Sequence, residues 1–290
     1  MIYKELILTI DDSFRERIVA ELLMLNFESF SDDEEGLHAY MPANRWNDSL
    51  LTDIRQRLTS HRDAGTIPSF TVSVRDVMPQ NWQEQWERTI TPVYAGKNVV
   101  IHPSWLPVEK TNDTIDIIID PKMSFGTGHH ETTQMMVELI EEYSKPGMNV
   151  LDVGTGSGVL AIVAAKMKAA YVVGIDNDPD AVIDARENCS LNKVDGTVNV
   201  FTGNLNEVDE IAGRSFDIIF ANIERKTILN LLNPLIDLLN KDGILLLSGL
   251  LEEDYAYVEE ECAKKKLNIF NTLRKTSQTS DTWLAIALKK

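Results

Sequence analysis

Apolar residues in the first 75 positions switch between a period of two and a period near 3.6. The stretch 2–10, IYKELILTI, reads as a strand. Phe14, Ile18, Leu22 and Leu25 then share one face of a helix that runs to about Asn26, with Asp11, Asp12 and Ser13 placed to cap it. A short strand at 27–30, an acidic turn at 32–36 and a strand at 37–41 follow. Trp46, Leu50, Ile54 and Leu58 mark a second helix over 46–59, and 70–74 alternates as a strand. The order βαββαβ predicts a small ferredoxin-like α+β domain over residues 1–75.

Residues 76–97 read as a linker with a short helix, on which Trp82 and Trp86 share a face. These rings either pack the helix against a neighbouring domain or line a substrate. Strands at 99–102 and 114–120 come next, opening a second domain over 98–290. From Glu131 onward helices and strands alternate: helix 131–143, strand 149–153, helix 159–168, strand 171–176, helix 179–192, strand 197–202, a short helix 205–212, strand 216–221, helix 227–239, strand 243–248 and helix 252–265. Two strands at 267–274 and 282–288 close the chain as a hairpin. Strands such as DIIF and ILLL are continuously apolar, as a parallel sheet covered on both faces requires. The fold class expected is α/β: a Rossmann-like doubly wound sheet with a C-terminal antiparallel hairpin, its ligand at the carboxyl ends of the strands.

Composition narrows the picture. Hydrophobic residues make up 43% of the 290 and charged residues 25%, which supplies a core and excludes a disordered or low-complexity chain. Asp and Glu outnumber Lys and Arg by 45 to 28, giving a formal net charge of -17. Such a surface repels phosphate backbones, so direct sequence-specific nucleic-acid binding is not expected and a cationic partner is favoured. Cys189 and Cys262 lie far apart on expected helices, which leaves no disulfide framework and no cysteine zinc site. The N-terminus lacks a basic segment followed by an apolar one, and no window approaches the ~18 apolar residues of a membrane span. A cytoplasmic protein is expected, with nothing to indicate an obligate oligomer.

Four segments carry candidate chemistry. In VLDVGTGSGVLAI a strand runs through Gly154, Gly156 and Gly158 into a helix, so that backbone can approach a ligand closely. The spacing is GxGxG rather than the GxGxxG of dinucleotide turns, and no basic residue stands ready for phosphate. Asp176 ends the next strand about twenty residues after Gly154, the offset at which a carboxylate meets a ribose diol, while Asp178 before Pro179 suits a helix cap. The segment FGTGHHETT, from Phe125, has the composition of a mobile loop that closes over substrate, or else Thr132 or Thr133 merely caps the following helix. His129 and His130 are adjacent, not four apart, which argues against a metal pair. Finally, ANIERK places Asn222 at a strand end, where an amide and a free backbone carbonyl can aim an amine at a methyl group; an ordinary turn residue is the plainer alternative.

LDVGTGSG, the Asp176 strand and the terminal hairpin together resemble a class I S-adenosylmethionine-dependent methyltransferase. DPKMSFGTGHHETT combined with ANIERK and SGLLEED resembles the bacterial enzymes that methylate large-subunit ribosomal protein eleven, and the resemblance covers nearly the whole chain. It implies S-adenosylmethionine as cofactor, contacted by Phe125 and Thr133, with Gly154 and Gly156 beside its methionine part, Asp176 on the ribose and Asn222 near the methyl group. No metal is implied. It further implies methylation of lysine side chains and of the N-terminal amine of that ribosomal protein, free or on the ribosome, with the N-terminal domain as recognition module. A monomer is expected, since nothing in the sequence suggests an obligate oligomer. Where the wider amino-methylating group has Asn-Pro-Pro-aromatic, this chain has Asn222-Ile-Glu-Arg. The competing readings are a nicotinamide oxidoreductase, a methyltransferase of another amine, and a non-catalytic assembly factor.

Overall fold

Alternation at the start of the chain becomes strand β1 (Tyr3–Thr9), whose Leu6 and Leu8 turn into a core while Glu5 turns away from it. A computed structural model describes residues 3–11, 14–33, 36–77, 90–122, 124–277 and 279–290, in two units, Met1–Ile90 and Thr91–Lys290. In the first unit β1 is followed by α1 (Arg15–Met24), β2 (Ser29–Asp33), β3 (Gly36–Pro42), α2 (Asp48–Asp63) and β4 (Thr71–Val77). The antiparallel sheet has the order β2-β3-β1-β4, the ferredoxin-like arrangement expected of βαββαβ. Ile18 and Leu22 of α1 and Ile54 and Leu58 of α2 pack on Leu6, Leu8, Leu37, Ala39 and Met41. Asn47 caps α2 by accepting the Leu50 N–H at 2.9 Å. Asp12 and Ser13, expected as caps of α1, lie outside the described residues, as do Trp82 and Trp86; Phe14 holds the cap position of α1 and makes no side-chain bond there.

The sheet face that carries Glu5 holds a buried polar cluster. His38, 2% exposed, places Nδ1 at 2.7 Å from a Glu5 carboxylate oxygen and Nε2 at 2.7 Å from one of Asp33. Tyr40 and Arg75 also donate to Glu5. Burial alone lowers the His38 pKa, but the bonds to Glu5 and Asp33 override it and leave it raised. Burial raises Glu5, and its bonds from Arg75, His38 and Tyr40 override that and bring it down to about 2. A raised histidine stabilises fully below its unfolded pKa, about 6.5, and loses the contribution as pH rises through the folded value. A depressed glutamate contributes above its unfolded value near 4.5 and loses it as pH falls toward 2. Denaturant unfolding of this unit is therefore expected to show a maximum between about pH 5 and 6.5. His38→Ala is expected to remove about 3 kcal/mol at pH 6 and to flatten the alkaline limb; an unaltered limb would contradict the pairing.

The second unit opens with β5 (Val93–Ala95), β6 (Val99–His102) and β7 (Ile115–Ile118), a three-stranded sheet in which β6 pairs antiparallel with β5 and parallel with β7. Then come α3 (Glu131–Tyr143), β8 (Asn149–Val153), α4 (Val159–Lys166), β9 (Tyr171–Asp176), α5 (Pro179–Leu191), β10 (Val198–Thr202), β11 (Phe216–Asn222), α6 (Arg225–Leu238), β12 (Leu239–Leu251), α7 (Tyr255–Lys264), β13 (Asn268–Thr276) and β14 (Thr282–Lys289). They build a seven-stranded sheet in the order β10-β9-β8-β11-β12-β14-β13. Strands β8 to β12 are parallel, and β14 inserts antiparallel between β12 and β13. Continuous apolar strands are buried from both sides, by α3, α4 and α5 on one face and by α6 and α7 on the other. No helix among the described residues is long and apolar enough to cross a membrane.

Residues 205–212, expected as a helix, form hydrogen-bonded turns instead. Leu205, Val208 and Ile211 recur at intervals of three and bury against the α6 face, a spacing that successive turns satisfy as well as a helix does. The Glu207 carboxylate accepts the Asn204 N–H at 2.9 Å, and Gly213, at positive φ, ends the run.

Candidate active site

The chain leaves β8 toward β9 and β10 on one side, whereas β11 returns on the other, with Val153 opposite Ala221. This is a topological switch point, where the carboxyl ends of neighbouring strands part and leave a crevice. A cleft of about 500 Å³ opens there, lined by Phe125, Gly154, Gly156, Asp176 and Asn222 together with residues considered below.

The turn after β8 is fixed by backbone geometry. Gly154 and Gly156 have φ of +72° and +53°. A Cβ on Gly154 would stand 2.3 Å from Ile223 Cγ2, and one on Gly156 2.5 Å from the Phe125 carbonyl oxygen. The Ile223 side chain can shift, but the Phe125 carbonyl is backbone and accepts the Ser157 N–H at 2.8 Å. Gly156→Ala therefore combines left-handed strain with a displaced Phe125, at a cost of about 1–3 kcal/mol. The expected result is a cofactor affinity about tenfold or more weaker by calorimetry, with a smaller loss for Gly154→Ala; equal affinities would contradict the geometry.

Beneath the turn, Asp152 is 1% exposed and accepts the Thr155 hydroxyl at 2.7 Å. Burial, against the opposing bond from Thr155, pushes its carboxyl up to about 7. Asp176 is held by two amides: Gly156 N–H donates to Oδ2 at 2.9 Å and Asp178 N–H to Oδ1 at 3.1 Å. Asp176 also lines the cleft, and each of its carboxylate oxygens keeps a lone pair for a further donor. Asp178 caps α5 by accepting the Asp180 N–H at 2.9 Å, with Pro179 at the first helical position.

The segment from Phe125 to Thr133 is anchored along its length, unlike the mobile closing loop that its composition suggests. Phe125 and Gly126 carbonyls accept from Ser157 N–H and Oγ, at 2.8 and 2.7 Å, and Ser124 Oγ donates to Asp184 at 2.9 Å. His129 Nε2 lies 3.1 Å from the Thr91 carbonyl. His130, rather than a threonine, caps α3: its Nδ1 accepts the Thr132 N–H at 3.2 Å. Thr132 reaches the cleft, whereas Thr133 is fully buried and does not line it.

Asn222, at the end of β11, lines the cleft opposite Asp176, and no described residue hydrogen-bonds its side chain. Trp283 lines the cleft without belonging to any of the sequence motifs. It is the second residue of β14, and because β14 runs antiparallel its start lies at the carboxyl edge, opposite Leu251. Gly249, near the end of β12 within SGLLEED, also lines the cleft.

The lining residues include Asp176, Asp178 and Glu224 but no lysine or arginine. That donor set suits a nucleoside with a diol and a positive charge, such as S-adenosylmethionine, and does not suit a pyrophosphate.

Comparison with known proteins agrees. A family model described as "Ribosomal protein L11 methyltransferase (PrmA)" matches residues 8–290. A protein named ribosomal protein L11 methyltransferase from Clostridium perfringens is 39% identical over 207 residues, which are 71% of this chain and 65% of that protein. The chain thus spans about two thirds of that relative's length. One of the same name from Anoxybacillus flavithermus is 33% identical over 282 residues, 95% of this chain and 86% of the other. Among solved structures, the ribosomal protein L11 methylase of Lactobacillus delbrueckii subsp. bulgaricus superposes with a TM-score of 0.62 at 30% identity, covering 69% of this chain and 99% of that one.

Proposed function

Because the chain belongs to the ribosomal protein L11 methyltransferase family, we propose that it transfers methyl groups from S-adenosylmethionine to amino groups of ribosomal protein L11. One observation carries this reading: a cleft without cationic side chains sets a diol-binding carboxylate, Asp176, across a glycine turn from an unengaged amide, Asn222. The substrates are lysine side chains and the N-terminal amine, on free or ribosome-bound protein, and the first unit recognises the target. The enzyme acts in the cytoplasm as a monomer.

The bound cofactor supplies a methyl group already activated by its sulfonium charge. What remains for the chain is placement. Asp176 would accept the two ribose hydroxyls, and the turn at Gly154 and Gly156 would let backbone approach the methionine part. Phe125 would cover the cofactor, whereas Thr133, expected to touch it, is fully buried outside the cleft lining. The Asn222 side-chain oxygen accepts an N–H of the incoming amine, which turns the nitrogen lone pair toward the methyl group.

A lysine with a reference pKa of ~10.4 must shed a proton before it attacks. His129 Nε2 lies 3.1 Å from the Thr91 carbonyl and His130 Nδ1 3.2 Å from the Thr132 amide; no dedicated base is assigned, and the proton leaves to water. A net charge of -17 steers a basic substrate to the enzyme, so its association should weaken as salt rises. Titration calorimetry tests the cofactor half of the reading: S-adenosylmethionine is expected to bind and NAD to give no heat. Binding of NAD alone would overturn it in favour of hydride chemistry.

A further inference from the structure

Strand order sorts the cleft into two ends. Asp176 ends β9, Gly154 follows β8, Asn222 ends β11, Gly249 lies on β12 and Trp283 begins β14. At about 4.8 Å per strand step, Trp283 stands two steps, ~10 Å, beyond the Asn222 strand and four steps, ~19 Å, from that of Asp176. Its indole therefore belongs to the amine end of the cleft and not to the ribose end.

The His130 ring meets it there, with centroids 4.8 Å apart and planes at 72°. Phe125 also packs on His130, at 5.4 Å and 61°. His130 Nδ1 lies 2.8 Å from the Thr132 hydroxyl oxygen and 3.2 Å from the Thr132 backbone nitrogen, contacts that hold the ring at the start of α3. The Trp283 indole and the His130 ring thus form one aromatic wall of the cleft, and the π face of an indole attracts a cation.

Methyl transfer creates such a cation. The amine lone pair becomes the new N–C bond, the pair of the broken S–C bond stays on sulfur, and the positive charge passes to the substrate nitrogen. Any N–H proton that remains can then leave to water.

We propose that Trp283 and His130 form a seat for the methylated ammonium group of the product, held by cation–π attraction. The seat rests on the methyl-transfer reading given above. It would keep a methylated side chain beside Asn222 long enough for further transfer.

The test uses the full-length chain and two short peptides, one with a trimethylated lysine and one with its uncharged tert-butyl isostere. Calorimetry is expected to show the charged peptide bound about fivefold or more tightly. Trp283→Ala should abolish that preference, Trp283→Phe should keep part of it, and His130→Asn, which preserves the helix cap, should reduce it. Equal affinity of the wild type for the two peptides, or a preference that survives Trp283→Ala in a folded variant, overturns the seat. The two readings fail separately. Equal affinities with methyl transfer intact condemn only the seat, whereas a charge preference without any methyl transfer condemns the function and leaves the seat standing.

Discussion

Replacing Asn222 by alanine is expected to lower turnover by about 10²-fold or more while S-adenosylmethionine affinity falls much less. The expectation follows from what the side chain touches. Asn222 closes β11 opposite Ser248, lines the cleft, and is engaged by no described neighbour, so its oxygen is available to an amine. Removing it would leave the proposed cofactor contacts at Asp176 and the glycine turn in place but free the attacking nitrogen to rotate. Asn222→Asp keeps an acceptor oxygen and should lose less. Single-turnover rates at saturating cofactor, beside calorimetric affinities, separate the effects. Unchanged turnover in Asn222→Ala would remove Asn222 from the mechanism.

Asp176→Ala should act in the opposite proportion, weakening S-adenosylmethionine by about 10²-fold or more. Two charge-assisted hydrogen bonds to the diol disappear, each worth about 1.5–3 kcal/mol, and the Gly156 and Asp178 amides lose their acceptor. Some loss of thermal stability should accompany the change for that second reason. Asp176→Asn separates the two causes, since it keeps one acceptor oxygen and nearly the same shape. Its affinity should fall between those of wild type and alanine. An alanine variant that binds the cofactor normally would mean that the diol is held elsewhere.

Much of this was legible in sequence because the decisive residues sit in local motifs at strand ends. Gly154, Asp176 and Asn222 each follow an apolar strand, and parallel strands deliver such residues to one edge of a sheet. Continuous runs such as ILLL likewise announced a sheet covered on both faces. Features that depend on pairing were not legible. The three-stranded sheet of β5, β6 and β7 rests on partners that short segments cannot specify, and β5 falls in the stretch read as linker. Trp283 reached the cleft only because β14 runs antiparallel, so that its start lies beside the end of β12. The FGTGHHETT segment looked mobile from its glycines; its bonds to Ser157, and that of the preceding Ser124 to Asp184, join residues about thirty and sixty positions apart. At 205–212, apolar residues three apart served turns and helix equally, and packing decided.

Placement of an amine, rather than activation of it, is the central claim. The most direct measurement incubates the full-length enzyme with methyl-labelled S-adenosylmethionine and ribosomal protein L11, free and in unmodified large subunits, and locates the label by mass spectrometry. Label on lysine side chains or the N-terminal amine, lost in Asn222→Ala, is the predicted result. Label on carboxyl groups or on RNA, or no transfer despite bound cofactor, would contradict it.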